Sequence, residues 1–207
     1  RQLSPDEAAD QLRDFPYRDL NFAKVDHHRE LRRGFPEIIY GEGKSILQIE
    51  KIAEEILKKG SNLLVTRVGP EVYEVLKKAF PQVEYNTDGR VVYYKNESPS
   101  LGKGKILVIT AGTSDIRVAE EAFVTCDILG NEVEKIFDIG VAGIHRLFGE
   151  YDKIKGARVI ITVAGMEGAL PSVIAGITNV PVIAVPTSVC LLYTSDAADE
   201  EDSVDLG

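Results

Sequence analysis

The second half of the chain alternates long apolar runs with segments of helical periodicity. The runs KILVITAG, ARVIITVAG and VPVIAVPTS are apolar almost throughout, and the amphipathic stretch SDIRVAEEAFVTCDILGN lies between the first two. Continuous apolar runs without alternation are typical of strands that are buried on both faces. The pattern therefore predicts βαβ units with right-handed crossovers, and hence an α/β fold with a parallel sheet.

The first half of the chain predicts a separate and smaller α/β unit. SILQIEKIAEEILKKG has apolar residues at helical spacing and a capping box that begins at Ser45. GPEVYEVLKKAF predicts a helix with Pro70 at its first position, and VEYNTDGRVVYYK predicts a hairpin that turns at Asp88 and Gly89. A capping box at Ser4–Glu7 predicts a further short helix near the start of the chain.

A linker is predicted between the two halves. The segment YKNESPSLGKGK is rich in Gly, Ser, Pro, Asn and Lys, which is typical of a connection between domains. We therefore predict a small N-terminal α/β domain over residues 1–98 and a parallel-sheet domain over residues 103–189. Residues 190–207 form a third segment of different composition.

The closing segment CLLYTSDAADEEDSVDLG, residues 190–207, holds six Asp and Glu residues and no Lys or Arg. A disordered acidic terminus would have such a composition. The segment also resembles the in-frame translation of a transposase-type sequencing adapter, in which TGT CTC TTA TAC ACA TCT encodes CLLYTS. We interpret it as a non-native, disordered tail, which predicts that the authentic sequence is interrupted near Val189 and that Cys190 has no chemical role.

Composition excludes several classes of protein. With 44% hydrophobic residues, the 207-residue chain can bury a real core, and it lacks both a membrane-length apolar run and the layout of a signal peptide. Without the acidic residues of 190–207, the net charge of −9 becomes −3, so no basic excess favours nucleic acid or a membrane surface. Two cysteines do not make a disulfide framework, and we expect a reducing, cytoplasmic location.

Three loops of the predicted parallel sheet fall at the carboxyl ends of strands, where ligands bind in open α/β sheets. They are residues 110–115, 138–146 and 163–172. The first loop presents two hydroxyls and a carboxylate, from Thr113, Ser114 and Asp115, at a helix N-terminus. Such an end favours a phosphate, and the carboxylate could hold a ribose hydroxyl. The alternative is plain capping of the helix by Thr113 or Ser114.

The other two loops carry further candidates. Asp138 opens the second loop, and His145 and Arg146 put a titratable ring and a fixed cation near its end. An arginine there could pair with a phosphate, although a surface ion pair would explain the same residues. In the third loop, Glu167 stands between glycines in an otherwise apolar stretch. It is a ligand contact, a general base with a raised pKa, or an exposed turn residue.

Three other motifs predict no chemistry. GEGKS suggests a P-loop, but that motif needs a glycine five residues before Gly43, where Ile38 stands. His27 and His28 have no spaced Cys or His partners, so no zinc site is predicted. Cys126 follows the helical spacing of its apolar neighbours and is predicted to be a core residue.

In their order and spacing, ITAGTSD, DIGVAGIHR, VAGMEGALPSVIAG and VPVIAVPTSV resemble the carboxylase-like domain of the LarB family of nickel-pincer cofactor biosynthesis. VDHHRELRRGFPEIIYGEGKS resembles the N-terminal region of that family, so the resemblance covers essentially all of residues 1–189. LarB is in turn similar to PurE, the phosphoribosylaminoimidazole carboxylase. The resemblance implies a three-layer, flavodoxin-like (PurE-like) parallel-sheet domain, truncated in this chain, after a small α/β domain.

The resemblance also implies an activity. Nicotinic acid adenine dinucleotide would be carboxylated on its pyridinium ring and its pyrophosphate hydrolysed, giving pyridinium-3,5-biscarboxylic acid mononucleotide and AMP. CO2 or bicarbonate is the implied co-substrate, Mg2+ or another divalent cation the implied cofactor, and a homo-oligomer the implied assembly. The matching positions give expected substrate contacts at Thr113, Ser114, Asp138, His145 and Arg146 and expected catalytic residues at Glu167 and Asp115.

The implied chemistry needs a cysteine, because CO2 does not add to an electron-poor pyridinium ring. A thiolate that adds to the ring would give an electron-rich enamine that can attack CO2. In the family this cysteine lies in an NSC-like segment downstream of PTSVGYG, whereas here PTSV continues into CLLYTS. Cys190 replaces the glycine and does not match the nucleophile position, so we expect this 207-residue chain to have no carboxylation activity.

Two other functions stay open. A PurE-type carboxylase is one, but the histidine that PurE carries before LPG falls at Ala169, and carboxyl migration on an aminoimidazole needs that proton donor. A non-catalytic nucleotide-binding protein is the other, since it would share the sheet and its loops. Whatever the function, truncation of the sheet would leave residues 182–185 as an uncovered apolar edge strand.

Overall fold

The computed structural model describes residues 17–26, 28, 29, 32, 35, 37–96 and 102–188. The chain divides into two compact units, of which the first comprises Arg1–Ser100 and Ile128–Gly130 and the second Leu101–Asp127 and Asn131–Gly207. The helix predicted at Ser4–Glu7 and the segment 190–207 lie outside the described residues. In the part of the chain that is described, no helix is both long and apolar enough to span a membrane.

The N-terminal unit contains a four-stranded mixed sheet. Its strands are β3 (Ile39–Tyr40), β4 (Leu63–Thr66), β5 (Glu84–Asn86) and β6 (Val91–Tyr94), in the order β3-β4-β6-β5. β3 and β4 run parallel, and the other neighbours are antiparallel. The predicted hairpin is confirmed as β5 and β6. A separate antiparallel hairpin, which the sequence did not predict, pairs β1 (Tyr17–Asp19) with β2 (Lys24–Asp26).

Two helices cover this sheet. In α1 (Ile46–Lys58) the predicted capping box is confirmed: the Ser45 hydroxyl accepts the Gln48 N–H at 3.3 Å, and the Gln48 side chain accepts the Ser45 N–H at 2.9 Å. The apolar stripe of α1 packs into the core of the unit together with α2 (Pro70–Ala79) and the central strand β4, all four residues of which are buried. Burial of this stripe is what fixes α1 on the sheet.

The second unit contains a parallel sheet, as predicted. Its strands are β7 (Lys105–Thr110), β8 (Glu132–Ile136), β9 (Val159–Ala164) and β10 (Val182–Pro186), in the order β10-β9-β7-β8. All neighbouring pairs are parallel. This is the order of the first four strands of a flavodoxin-like sheet, in which the direction of winding reverses between the first and third strands, here β7 and β9.

Helices lie on both faces of the parallel sheet, which gives three layers. Leu107 and Ile109 of β7 face the short helices α4 (Ile144–Gly149), α5 (Tyr151–Gly156) and α6 (Ala169–Ile177). Val108 of the same strand faces the opposite way, toward Ala119 of α3 (Ile116–Ile128). Because side chains alternate along a strand, the unbroken apolar runs supply both faces at once. The predicted fold class is therefore confirmed.

Details around the helices differ from prediction. The stretch predicted as helical after β8 divides into a 3-10 turn, Val141–Gly143, and two short helices that meet at Glu150. The prediction that Thr113 or Ser114 caps α3 is wrong. A 3-10 turn, Thr113–Asp115, precedes the helix, and its N-cap is Gly112, whose N–H donates to the Asp115 carboxylate at 3.0 Å. A charged acceptor three residues on satisfies the free N–H, so no hydroxyl is needed.

Candidate active site at the carboxyl ends of the parallel strands

A cavity of about 150 Å3 opens where β7, β8 and β9 end. The loop after β7 supplies Ala111, Gly112, Ser114 and Asp115, the segment after β8 supplies Gly140, Val141, Ala142 and Arg146, and β9 with its loop supplies Ala164–Glu167, Ala169 and Leu170. The structure thus brings together the three loops that the sequence selected. The cavity lies at the switch point between β7 and β9, which is the common ligand site of such sheets.

The floor of the cavity is made by main chain. Sheet hydrogen bonding continues past the strand ends, from the Ala111 N–H to the Val163 carbonyl at 3.0 Å and from the Ile139 N–H to the Thr110 carbonyl at 3.1 Å. A Cβ atom on Gly140 would lie 2.6 Å from the Ala111 carbonyl oxygen. Only glycine therefore lets the loops after β7 and β8 approach this closely. This contact between the loops could not be predicted from the sequence, because the two residues are distant in the chain.

Asp115 is the buried acid of the site, with 3% of its surface exposed. One carboxylate oxygen accepts the Gly112 N–H at 3.0 Å, and the other accepts the Thr187 hydroxyl at 2.7 Å. The Thr187 N–H in turn donates to the Ala164 carbonyl at 3.1 Å. Asp115 therefore fastens the end of β10 to the loop after β7, and its carboxylate is held in one orientation. Thr187 was missed in the sequence because its partner is distant in the chain.

The two hydroxyl residues before Asp115 differ in their access to the cavity. Both Thr113 and Ser114 are exposed on the 3-10 turn. Ser114 belongs to the lining, whereas Thr113 does not appear among the described lining residues. Only the Ser114 side chain is thus in direct reach of a molecule in the cavity.

The loop after β8 contributes a cation. Arg146 lines the cavity and donates to the Asp138 carboxylate in a partly exposed ion pair. Asp138 adopts a left-handed backbone conformation with φ of 60°, and its N–H donates to the Thr110 hydroxyl at 3.0 Å. His145 is exposed and is absent from the described lining. Of the adjacent His and Arg, the structure brings only the arginine to the site.

Glu167 stands in a tight turn at the rim. The Gly168 N–H donates to the Gly165 carbonyl at 2.9 Å, and Met166 has φ of 49°. A left-handed methionine is unusual and marks a backbone that its surroundings hold in place. Glu167 lines the cavity and is exposed, which agrees with a turn residue in reach of a ligand and not with a carboxylate enclosed by apolar groups.

The thiol in the described part of the chain is remote from the lining residues. Cys126 packs with Val118, Ala122 and Val133 between α3 and the sheet, and burial raises the pKa of its thiol. It is the core residue that the sequence predicted, and it is unsuited to act as a nucleophile. Among the described residues, no group of three or more His, Cys, Asp or Glu side chains could hold a metal ion.

Comparisons with known proteins cover both units. Residues 17–97 match the family of LarB/PurE-like N-terminal domains, and residues 105–198 match the AIR carboxylase family. The second match reaches into the segment that we interpret as adapter-derived, and that interpretation stays a prediction. Together with the switch-point cavity of a flavodoxin-like sheet, these matches define a protein of the AIR carboxylase class.

Two relatives from the archaeon Methanocaldococcus jannaschii sharpen this assignment. An uncharacterized protein is 40% identical over 196 residues, which covers 90% of this chain and 76% of the relative. The N5-carboxyaminoimidazole ribonucleotide mutase is 39% identical over 84 residues, covering 39% of this chain and 51% of that enzyme. With the N-terminal domain ahead of the carboxylase domain, the chain belongs to the LarB/PurE-like carboxylase family.

Proposed function

We propose that the parent reaction of this site is carboxylation of the pyridinium ring of nicotinic acid adenine dinucleotide, coupled to hydrolysis of its pyrophosphate. The products would be AMP and pyridinium-3,5-biscarboxylic acid mononucleotide, the first intermediate of nickel-pincer cofactor synthesis. The observation that carries the proposal is a LarB-type N-terminal domain joined to an AIR carboxylase domain. A carboxylase domain alone would fit the purine pathway equally well.

The proposed chemistry is redox-neutral. A ring C–H bond is replaced by a C–C bond to CO2, and the ring proton leaves to a base. Water cleaves the P–O–P anhydride, so that one phosphate goes to AMP and the other to the mononucleotide. The site must therefore bind a pyrophosphate, accept one proton and direct one water molecule.

Several residues of the cavity suit these tasks. The Arg146 guanidinium can donate two hydrogen bonds to a phosphate. The phosphate would compete with the Asp138 carboxylate for this guanidinium. Ser114 offers a hydroxyl at the same phosphate, and we keep Thr113 and His145 as outer substrate contacts at the mouth. Glu167 at the rim is the proposed base for the ring proton or for the hydrolytic water. Asp115, the other catalytic residue expected from the sequence, is proposed to hold the loop after β7 in place, and Asp138, expected as a substrate contact, is proposed to orient Arg146.

The proposed reaction has two further participants, an activating thiolate and a divalent cation. The thiolate that would activate the ring cannot be Cys126, because that side chain packs in the core. A divalent cation belongs to the proposal as a companion of the pyrophosphate, since Mg2+ is commonly bound by one or two carboxylates together with substrate phosphates.

The proposal also includes a homo-oligomer in the cytoplasm that binds neither nucleic acid nor membrane. The oligomer follows from the family resemblance, and the location follows from the two cysteines and the composition. Sedimentation of the purified chain would test the oligomer, with a monomer at all concentrations as the contrary result.

Binding and turnover test the proposal separately. We expect the chain to bind nicotinic acid adenine dinucleotide in a calorimetric titration, and Arg146→Gln to weaken binding by about tenfold, the loss of one charged contact. Arg158→Gln, an exposed arginine of the same unit outside the described lining, is the matched control. Equal affinity of both variants would contradict the role of Arg146, and absence of binding would contradict the substrate.

Turnover is followed with 13C-bicarbonate and mass spectrometry. We expect no labelled product from the 207-residue chain, because Cys190 does not match the nucleophile position, and labelled mononucleotide with AMP from the longer Methanocaldococcus relative. Product from this chain would overturn the prediction about Cys190. No product from the relative would count against the reaction for the family.

A second candidate function is supported by the similarity to the N5-carboxyaminoimidazole ribonucleotide mutase. Against it, Ala169 lines the cavity at the first position of α6, where a PurE-type site needs a proton donor. Growth of a purine auxotroph that expresses the uncharacterized Methanocaldococcus relative would favour the purine reaction. A nucleotide-binding protein without catalysis would bind the dinucleotide and fail both assays.

A further inference from the structure

A second recessed surface lies in the N-terminal unit, on the β1–β2 hairpin and the residues that follow it. It consists of two open depressions of about 430 and 250 Å3, which adjoin because Asp26 and Arg32 line both. We call it the hairpin groove, and its described lining is Tyr17, Lys24, Asp26, Arg29, Arg32 and Phe35. Its size falls in the range of small-molecule sites, roughly 300–1,000 Å3.

The base of the hairpin groove is firmly anchored. Val25, in the middle of β2, is 2% exposed and belongs to the core of the unit. On β1, Arg18 forms an ion pair at 2.9 Å with the buried carboxylate of Glu55 on α1. These apolar and charged contacts fix the hairpin to the core and to the helix, so the hairpin residues of the groove, Tyr17, Lys24 and Asp26, stand on an anchored backbone.

The groove carries an excess of positive charge. Three of its six lining side chains are cations, and the carboxylate is already engaged. Asp26 accepts the His28 N–H at 3.0 Å and the Arg32 guanidinium through its two oxygens. Nearby, the Glu37 carboxylate accepts the Asp26 N–H at 2.7 Å, so that it too is partly engaged.

The remaining two cations have weaker or no carboxylate partners. Lys24 reaches Asp19 only at 3.8 Å, and both side chains are about half exposed. Arg29 forms no ion pair with any carboxylate among the described residues, and its guanidinium lies 5.2 Å from the centre of the Phe35 ring. An incoming anion would therefore find Arg29 and Lys24 available without first displacing a strong ion pair.

Each aromatic ring of the groove is paired with one of these cations. The Lys24 amine lies 5.1 Å from the centre of the Tyr17 ring, and the Arg29 guanidinium lies 5.2 Å from the centre of the Phe35 ring. Tyr17 is 45% exposed, so a large part of its ring surface faces solvent beside the cations. Flat rings beside guanidinium and amine groups are the means by which proteins hold a nucleobase together with its phosphate.

We propose that the hairpin groove is a binding site for a mononucleotide, with the phosphate on Arg29 and Lys24 and the base stacked on Tyr17. All described lining residues of the groove belong to the N-terminal unit, and none of them lines the cavity of the parallel sheet. The proposal does not depend on the reaction that the sheet catalyses. Arg32 acts as a positioning residue, because it holds Asp26 and with it the turn that carries Arg29.

The test is binding of AMP, adenosine and inorganic phosphate to the full chain, with amide chemical shifts to locate each ligand. We expect AMP to bind at least about tenfold more tightly than either part, and to shift the amides of residues 17–26. We expect Arg146→Gln, in the other unit, to leave these shifts unchanged. Shifts confined to residues 110–115 and 140–146 would mean that AMP uses the sheet cavity only, and would overturn the proposal.

Variants separate the two halves of the ligand. Arg29→Ala should weaken AMP and phosphate by about tenfold and leave adenosine unchanged, with Arg158→Ala as the control. Tyr17→Leu should weaken the binding of AMP and leave the binding of phosphate unchanged, whereas Tyr17→Phe should bind AMP as the parent chain does. Phe22→Leu on the same hairpin should have no effect on either, since Phe22 is 42% exposed and outside the described lining. Equal affinities for AMP and phosphate would show a bare anion site and refute the nucleotide.

Discussion

The two units of this chain form their recessed surfaces in different ways. In the C-terminal unit, the cavity is made by topology: three parallel strands end together, and much of its wall is backbone, glycine and alanine. In the N-terminal unit, the hairpin groove is made by large charged and aromatic side chains of a two-stranded hairpin and of the residues that follow it. The first surface depends on the close approach of main chains, whereas the second depends on side chains that contribute little to the core.

This difference predicts that stability and binding will be coupled in the C-terminal unit and separable in the N-terminal unit. A substitution that forces the strand ends apart should affect both folding and ligand binding. A substitution of Tyr17 or Lys24 in the hairpin groove should affect binding alone, because both side chains are exposed.

The largest effects are expected from the two cores. Leu76 and Leu107 are both fully buried, each in the core of a different unit. Leu→Ala at either position should cost about 2–5 kcal/mol of the free energy of unfolding, because it removes buried methyl groups and leaves a cavity. Leu47→Ala, on the exposed face of α1, is the control. In urea unfolding followed by amide resonances of each unit, only the mutated unit should lose stability. Equal losses in both units would show that they unfold together and would contradict two independent cores.

The next largest effect is expected at Gly140. A methyl group there would meet the Ala111 carbonyl oxygen, and relief requires movement of backbone, so Gly140→Ala should cost about 1–3 kcal/mol. Dinucleotide binding should be lost together with stability. Gly176→Ala is the matched control, since nothing lies within 4 Å of its Cβ position and alanine favours the helix. Unchanged stability of Gly140→Ala would show that the loops can separate freely.

A smaller effect is expected at the link between Asp115 and Thr187. Thr187→Val keeps the shape and removes the hydroxyl, so it should cost about 1.5 kcal/mol, the lower end of the range for a hydrogen bond to a charged group. In a double-mutant cycle with Asp115→Asn, the two changes should couple by about 0.5–3 kcal/mol, because both act on one contact. Thr178→Val on the same unit is the control, since its hydroxyl accepts a long hydrogen bond from a neutral donor, the Val180 N–H at 3.5 Å, and its removal should cost less. Strict additivity would mean that the hydroxyl and the carboxylate do not interact in solution.

The smallest effect concerns the partly exposed ion pair that joins β7 and β8. The Lys105 amine lies 2.7 Å from Glu134, which lowers the pKa of that carboxyl and raises the pKa of Lys105. The pair stabilises the fold at neutral pH. Its contribution is lost as pH falls through the lowered pKa of Glu134, and again as pH rises through the raised pKa of Lys105.

Urea midpoints across pH measure this pair. Glu134→Gln should be less stable than the parent chain at neutral pH and equal to it at both extremes. Glu132→Gln is the control, since its carboxylate lies 4.0 Å from the same amine. A difference between the parent chain and Glu134→Gln that does not vary with pH would contradict an electrostatic origin.

Much of the parallel-sheet unit could be predicted because one physical signal dominates it. Strands buried on both faces must be apolar without alternation, and β7 and β9 are. β10 has the same apolar run, which predicted a strand buried on both faces, but it ends the order of the described sheet and its residues are half-buried or exposed. Once the sheet is parallel, its strand ends meet at one edge, and the three loops follow. In the N-terminal unit the short β1 and β2 carry charged residues at their ends and no such signal, so they were missed.

The choice among neighbouring side chains could not be predicted. Arg146 reaches the cavity and His145 does not, because the rotation of the short helix α4 is set by packing and not by composition. Thr187 contacts Asp115 across 72 residues of chain, and no local pattern records such a pair. Met166 takes a left-handed conformation without being glycine, which the sequence gives no reason to expect.

The bond between Asp115 and Thr187 sets an order of assembly. The loop after β7 is complete early in the chain, but its buried acid gains its second partner only when β10 has joined β9. Contacts between residues so far apart close late in folding, because the intervening chain must first be ordered. As the chain leaves the ribosome, the cavity would therefore be among the last features of the sheet to reach its final form, and loosening of β10 would open it first.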